Sequence, residues 1–523
     1  MASFCYAQED AWVYFSDKPD AAYYLANPLE MLSQKALDRR ERQGIQPDEK
    51  DVPINPDYID AVASVEGITV MARSKWLNAL HVRGSIEAIS ALEVLEFVKA
   101  IDFANEQLNV EGRYNMANGM MSGAKAEESA ANFDYGFAAG QIEMLNGDKL
   151  HEQDFTGSGI TIAVLDSGFP NVNTLSTFAH LRNNGLILSG YNYVGHSEDF
   201  YTGGNHGTLV LSTMAGYTEN QLVGTAPDAF YYLFITEDTG GENPVEESYW
   251  VEAAEKADSL GVDVINTSLG YFKYDNAAYS YTYDEMDGKT AFITRGADIA
   301  FSRGMLCVVS AGNSGNSNTP NIGAPADAFN VLTVGAVDSN ENRAGFSSIG
   351  PTADGRIKPD VMAKGASATV ATTEGVIGTS NGTSFSSPIT AGLVACLWQA
   401  LPEKNNAEIL QLVKESADRY TNPNNAYGYG IPDFGFALRR GLNLGPDEFI
   451  VYPVVSDSTV YLEFPAGVER ASVTLFNTLG QRVMESKMAV SEPSFSITAL
   501  ETGIYSYRIE TQGITQTGRI IKK

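Results

Sequence analysis

Three short stretches hold residues whose types and settings suit bond-making chemistry. In GSGITIAVLDSGFP an apolar run ends in Asp166, followed by Ser167 and Gly168. The carboxyl ends of parallel strands are where α/β proteins gather their sites. In GGNHGTLVLSTMAG, His206 sits among Gly203, Gly204, Gly207 and Thr208, small neighbours that let another backbone or a substrate approach. It alone of the five histidines has such a setting. Imidazole is the side chain best suited to taking and returning a proton near neutral pH. In GTSNGTSFSSPITAGLVACLW a Gly/Ser/Thr-rich loop enters a long helical pattern closed by Pro402. That places Ser384 at a helix N-terminus, where free N–H groups and the helix dipole favour negative charge, and Pro388 fits the first turns. A fourth stretch, VVSAGNSGN, ends an apolar run in Asn313, whose amide can donate to a developing oxyanion. Singly, each has an ordinary explanation: a turn aspartate, one histidine among five, a capping serine and a polar turn.

The elements that would carry these residues are legible around them. Over 157–445, ITIAVLD, FYYLFIT, VDVINTS, MLCVVSA and NVLTVGAV read as short buried strands. Between them VEESYWVEAAEKADSLG and FITRGADIAFSRG have helical spacing. The alternation predicts an α/β domain with a doubly wound parallel sheet. Residues 8–105 read as a small α/β unit. AWVYF and ITVMA are its strands, PLEMLSQKALDRRERQG and SIEAISALEVLEFV its amphipathic helices. The polar stretch from Asn109 to about Asn132 reads as a linker. Beyond Gly445 short alternating runs (VYLEF, ASVTLFNT, SFSITAL, GIYSYRIE, TGRIIKK) predict an all-β sandwich.

Bulk properties narrow the function classes. The 523 residues, 44% hydrophobic and 19% charged, suffice for about three folded domains. A net charge of -30 repels phosphate backbones and argues against nucleic-acid binding. No apolar stretch is long enough for a transmembrane helix. Cys5, Cys307 and Cys396 lack metal-type spacing, and Cys307 and Cys396 are expected as buried free thiols. MASFCYAQEDAW reads as the end of a secretory signal without its basic and most of its apolar parts, so 1–7 is expected to be a signal remnant. The acidic run TEDTGGENPVEE contains Glu237, Asp238, Glu242, Glu246 and Glu247 and reads as a solvated loop, with a structural calcium site as the alternative.

Taken together and in order, D-S-G, N-H-G-T, A-G-N and G-T-S-x-x-S-P-x-x-A-G resemble the signature of subtilisin-like serine proteases. The order Asp, His, Ser is theirs. The resemblance covers roughly 130–440. It implies a catalytic domain (133–445) in which Asp166 orients His206, His206 takes the proton of Ser384, and Ser384 attacks a peptide carbonyl. Asn313 and the Ser384 N–H would form the oxyanion hole. Ser268, Leu269 and Gly270, with Ala311 and Gly312, would hold an extended substrate. No cofactor is implied for the chemistry. Phe385-Ser386-Ser387 stands where the family usually has Met-Ala-Thr, so local packing should differ.

Residues 8–105 resemble the family's propeptides of Bacteroidetes type through MLSQKALDRRERQGI, DVPINPDYID and SKWLNALHV. The chain's own propeptide would then chaperone and inhibit the enzyme, with maturation in the 106–132 linker. Residues 446–523 resemble the sorting domain of the type IX secretion system through VYP, VTLFNTLGQRV, TGIYSYRI and the basic end GRIIKK. Val454-Val455 replaces its usual Asn-Pro. The resemblance implies export through the periplasm to the medium or outer cell surface, with the type IX machinery as partner and proteins or peptides as substrates. The leading expectation is therefore a secreted serine endopeptidase made as a self-processed zymogen. A catalytically silent surface or adhesion protein on the same scaffold, and a peptidyl transferase using the same residues, remain alternatives.

Overall fold

The computed structural model describes residues 8–109, 133–445, 448–452, 455–456, 458–465, 467–511 and 513–523. The stretch 1–7 expected to be a signal remnant, Cys5, and nearly all of the stretch 106–132 expected to be a linker with a maturation site lie outside the described residues.

The N-terminal unit is a four-stranded antiparallel sheet of β1 (Glu9–Phe15), β2 (Thr69–Ser74), β3 (Ala79–Gly84) and β4 (Val98–Phe103), in the order β2-β3-β1-β4. One face packs on the unit's own helices through Val13, Leu80, Val82 and Ile89. Because strand side chains alternate, Trp12 and Tyr14 point the other way and enter the core of the central domain. The helical run expected over 28–44 is a short 3₁₀ turn followed by α1 (Gln34–Arg42), with Ser33 accepting from the Ala36 N–H.

The central domain is built on seven parallel strands: β5 (Thr161–Asp166), β6 (Ile187–Asn192), β7 (Phe230–Ile235), β8 (Val264–Thr267), β9 (Leu306–Ser310), β10 (Leu332–Val337) and β11 (Val361–Lys364). Their order is β11-β10-β9-β8-β5-β7-β6. The order reverses around β5, so its carboxyl end, carrying Asp166, lies at a switch point of the sheet. Five of the strands are the five apolar runs expected. Four of them, β5, β8, β9 and β10, are buried along their whole length, as a sheet covered on both faces requires. Helices α2 (His206–Ala215) and α5 (Thr383–Ala400) pack together on one side. Helices α3 (Val245–Leu260) and α4 (Phe292–Ser302) cover the other.

The C-terminal unit is all-β, with a three-stranded and a five-stranded sheet closing on Val460, Leu462, Val473, Leu475, Ile509 and Ile520. It touches the central domain through Glu463, which accepts from Gln153 Nε2 at 2.8 Å and from Arg439 at 3.2 Å. Cys307 and Cys396 are buried, as expected, and the Cys396 thiol lies 3.1 Å from the Thr225 carbonyl. Among the described residues no helix is long and apolar enough to cross a membrane.

Candidate active site

Asp166 is the last residue of β5, and its side chain is almost fully buried. Its Oδ1 accepts from the Ser167 N–H at 2.7 Å and from His206 Nδ1 at 2.8 Å. Glycines make that contact possible. The Asp166 loop and the His206 loop bridge at Gly168 and Gly203, both at positive φ, where a Cβ would stand 2.3 Å from the Thr202 carbonyl and 2.4 Å from the Ser167 carbonyl, respectively. The small residues around His206 thus admit the backbone of its partner loop. With Nδ1–H donating to the carboxylate, Nε2 is left as the proton acceptor. The negative Asp166 beside the ring, partly opposed by burial, raises the His206 pKa above its ordinary 6.5.

Ser384 is the second residue of α5, which begins after Gly382. Its Oγ donates to the Ser268 carbonyl at 3.2 Å, not to His206. The Phe385 ring lies 5.9 Å from the imidazole, centre to centre, which brings the start of α5 beside His206. The bulkier residue at this position is accommodated in the core.

Asn313 follows β9 across a tight turn at Gly312. Its Oδ1 accepts from the Thr383 N–H at 2.9 Å and the Thr383 hydroxyl at 3.1 Å, and the same hydroxyl accepts from the Gly312 N–H at 3.1 Å. The amide is thereby oriented with Nδ2 free of protein acceptors among the described residues. A Cβ built on Gly382 would lie 3.6 Å from both Asn313 Nδ2 and the Ser384 N. Two unpaired donors therefore face one small space that a side chain at 382 would fill. Thr383 was not singled out from sequence. Its place directly before Ser384 was the available signal, but its partner is 70 residues away.

Ser268, Leu269 and Gly270 leave the carboxyl end of β8. The exposed Gly270 has neither amide nor carbonyl bonded among the described residues, so its backbone is open to an added strand. Ser268 is buried, its hydroxyl turned inward to the Ser384 carbonyl at 2.9 Å. The amides of Ala311 and Gly312 are committed to Val334 and Thr383 within the protein.

The expectation of a solvated acidic loop needs correction. Glu246 and Glu247 are buried. Glu246 accepts from the Asp238 and Asn243 N–H groups and closes the loop on itself; burial raises its carboxyl to about 8. Glu247 accepts from Tyr274, Tyr281 and the Ile293 N–H. Both sit in the first turn of α3, where the helix dipole favours a carboxylate. Among the described residues no group of three or more His, Cys, Asp or Glu side chains is gathered as a metal site.

A serine at the mouth of a buried helix, beside a carboxylate-held imidazole at the carboxyl end of a parallel sheet, defines the class: a serine peptidase of the parallel α/β type. The chain belongs to the subtilase family, whose model matches residues 157–430. The Bacteroidota-type propeptide domain of the same peptidases matches 10–120, and a secretion-system C-terminal sorting domain matches 450–523. Similar proteins include Subtilisin NAT of Bacillus subtilis subsp. natto, 32% identical over 313 residues, 58% of this chain and 71% of that one. Subtilisin DY of Bacillus licheniformis is 31% identical over 292 residues, 55% of this chain and 93% of that one. Subtilisin BL of Lederbergia lenta is 30% identical over 299 residues, 57% and 97%. The enzyme is thus a serine endopeptidase with a propeptide, exported by type IX secretion to the cell surface or beyond.

Proposed function

We propose that the chain is a self-processed zymogen whose catalytic triad is Asp166, His206 and Ser384. Residues 8–105 are the inhibitory propeptide, 106–132 the linker cut on maturation, 133–445 the catalytic domain and 446–523 the sorting domain. The observation that carries the reading is the 2.8 Å bond from His206 Nδ1 to the buried Asp166, beside the helix start that bears Ser384. A rotation about the Ser384 Cα–Cβ bond takes its hydroxyl from the Ser268 carbonyl toward His206 Nε2. As Oγ attacks the peptide carbonyl, its proton passes to Nε2, and the imidazolium forms against Asp166. The oxyanion takes hydrogen bonds from Asn313 Nδ2 and the Ser384 N–H. Collapse sends the Nε2 proton to the leaving amine, and water then hydrolyses the acyl-enzyme by the same proton path. A substrate strand pairs along 268–270, with 311–312 as the opposite wall.

Labelling with a fluorophosphonate tests the assignment: the modified residue, located by mass spectrometry, should be Ser384. Absence of labelling after removal of the N-terminal unit would favour a silent scaffold. The His206 environment gives a second expectation. Peptide hydrolysis should rise with pH as His206 loses its proton, with a midpoint above 6.5 because Asp166 stabilises the charged ring. Asp166→Asn should move that midpoint down. A rate that stays flat from about pH 5 to 8 rules out His206 as the base. The same raised pKa stabilises the fold below the unfolded imidazole value, and that contribution is lost as pH rises through the folded one.

A further inference from the structure

Pro388 lies inside α5, four residues after Ser384. Having no N–H, it cannot give the Ser384 carbonyl its helical hydrogen bond. That carbonyl is nevertheless satisfied, by the Ser268 hydroxyl at 2.9 Å. The hydroxyl has no choice of direction. It accepts from Asn266 Nδ2 at 3.0 Å, and an amide N–H can only donate, so its one proton goes to Ser384. Asn266 is fixed in turn, its Oδ1 lying 3.1 Å from the Ser387 hydroxyl. Asn266, Ser268 and Ser387 are all buried. Asn266 and Ser268 are two apart on an extended segment and so share a face toward α5. Ser268 therefore grips Ser384 at both ends: its hydroxyl holds the main-chain carbonyl, and its carbonyl holds Oγ.

We propose that Ser268, ordered by Asn266, is a positioning residue for the nucleophile, the side-chain half of a pair whose other half is Pro388. This rests on Ser384 being the nucleophile, as argued above. During attack the bond to Oγ must break, whereas the bond to the main-chain carbonyl persists and keeps the Ser384 turn in place. The substrate-pairing backbone of 268–270 is unaffected by loss of the hydroxyl, so the consequence falls on kcat and not on KM.

The test uses the full chain, with rates on a peptide anilide normalised to fluorophosphonate-titrated sites. Ser268→Ala should lower kcat about 10- to 100-fold, the scale of a misplaced reacting group, with KM within about twofold. Ser268→Thr, which keeps a hydroxyl, should retain most of kcat. In Ser268→Ala/Pro388→Ala the main-chain N–H regained at position 388 replaces the missing donor, and kcat should recover well above the product of the single effects. A wild-type kcat in Ser268→Ala, or a double variant no better than that product, overturns the proposal. Should Ser268→Ala fail to fold, Ser268→Cys, whose thiol is the weaker donor, decides alone: kcat should fall at constant KM, and an unchanged kcat refutes the proposal. A wild-type chain that neither labels nor turns over substrate instead overturns the nucleophile assignment, and this inference with it.

Discussion

Ser384→Ala is expected to lower kcat by about 10⁵–10⁶-fold, leaving the weak rate that oxyanion donors and binding supply without a nucleophile; the figure is carried over from subtilisins. The structure explains why nothing nearby should substitute. Ser386 is fully buried and bonds back to the Thr383 carbonyl, and Ser387 is committed to Asn266 and the Val308 carbonyl. Neither hydroxyl faces the space in front of Asn313. The variant should also fail to process itself and accumulate as the intact chain. Mass spectrometry of the secreted product and turnover of a peptide substrate check both outcomes. A variant that still matures in the absence of other proteases would mean that another group cuts the linker.

The site was legible because its chemistry is concentrated in short strings at strand ends and a helix start. What escaped sequence reasoning depends on partners far along the chain. Strand β6 reads ILSGYN, and its residues are only half-buried or exposed, so it lacks the apolar run that marked the inner strands. Strand β11 is four residues long, directly after Pro359 and Asp360. Strand β4 (VKAIDF) has no sequence expectation of its own: only Val98 falls within SIEAISALEVLEFV, whose apolar residues continue past the point where the helix stops at Ser90. Helical and strand periods both fit so short an apolar stretch. In RRERQ, Arg39 and Arg40 look like the solvated face of an amphipathic helix. They are instead fully buried, because their acceptor Asp258 arrives from 218 residues away.

That burial carries the second large effect. Where the N-terminal unit meets α3 and α4, Arg39 and Arg40 both bind Asp258, Arg40 also binds Asp51 at 2.7 and 2.6 Å, and Arg303 reaches Asp48 at 2.9 Å. Three guanidiniums face three carboxylates, so the group is neutral. Burial pushes the Asp258 carboxyl up, but Arg40 and Arg39 outweigh it and hold it at about 2. Its contribution is therefore present above the unfolded value of 3.8 and is lost only as pH falls toward 2, so mild acid should not unlock this contact. Asp258→Ala would leave Arg40 with Asp51 alone and the buried Arg39 with only the Val262 and Arg303 carbonyls, at a cost of about 3–5 kcal/mol. In the unprocessed Ser384→Ala chain, amide hydrogen exchange across β1–β4 should then accelerate by about 10²- to 4×10³-fold relative to the intact network, at one factor of ten per 1.4 kcal/mol. Because the pairs are buried, the difference should persist at high salt. The exposed Asp38→Ala on the same helix should have no such effect. Equal exchange in Asp258→Ala and its parent would show that the apolar contacts of Trp12 and Tyr14 hold the N-terminal unit without help from the charges.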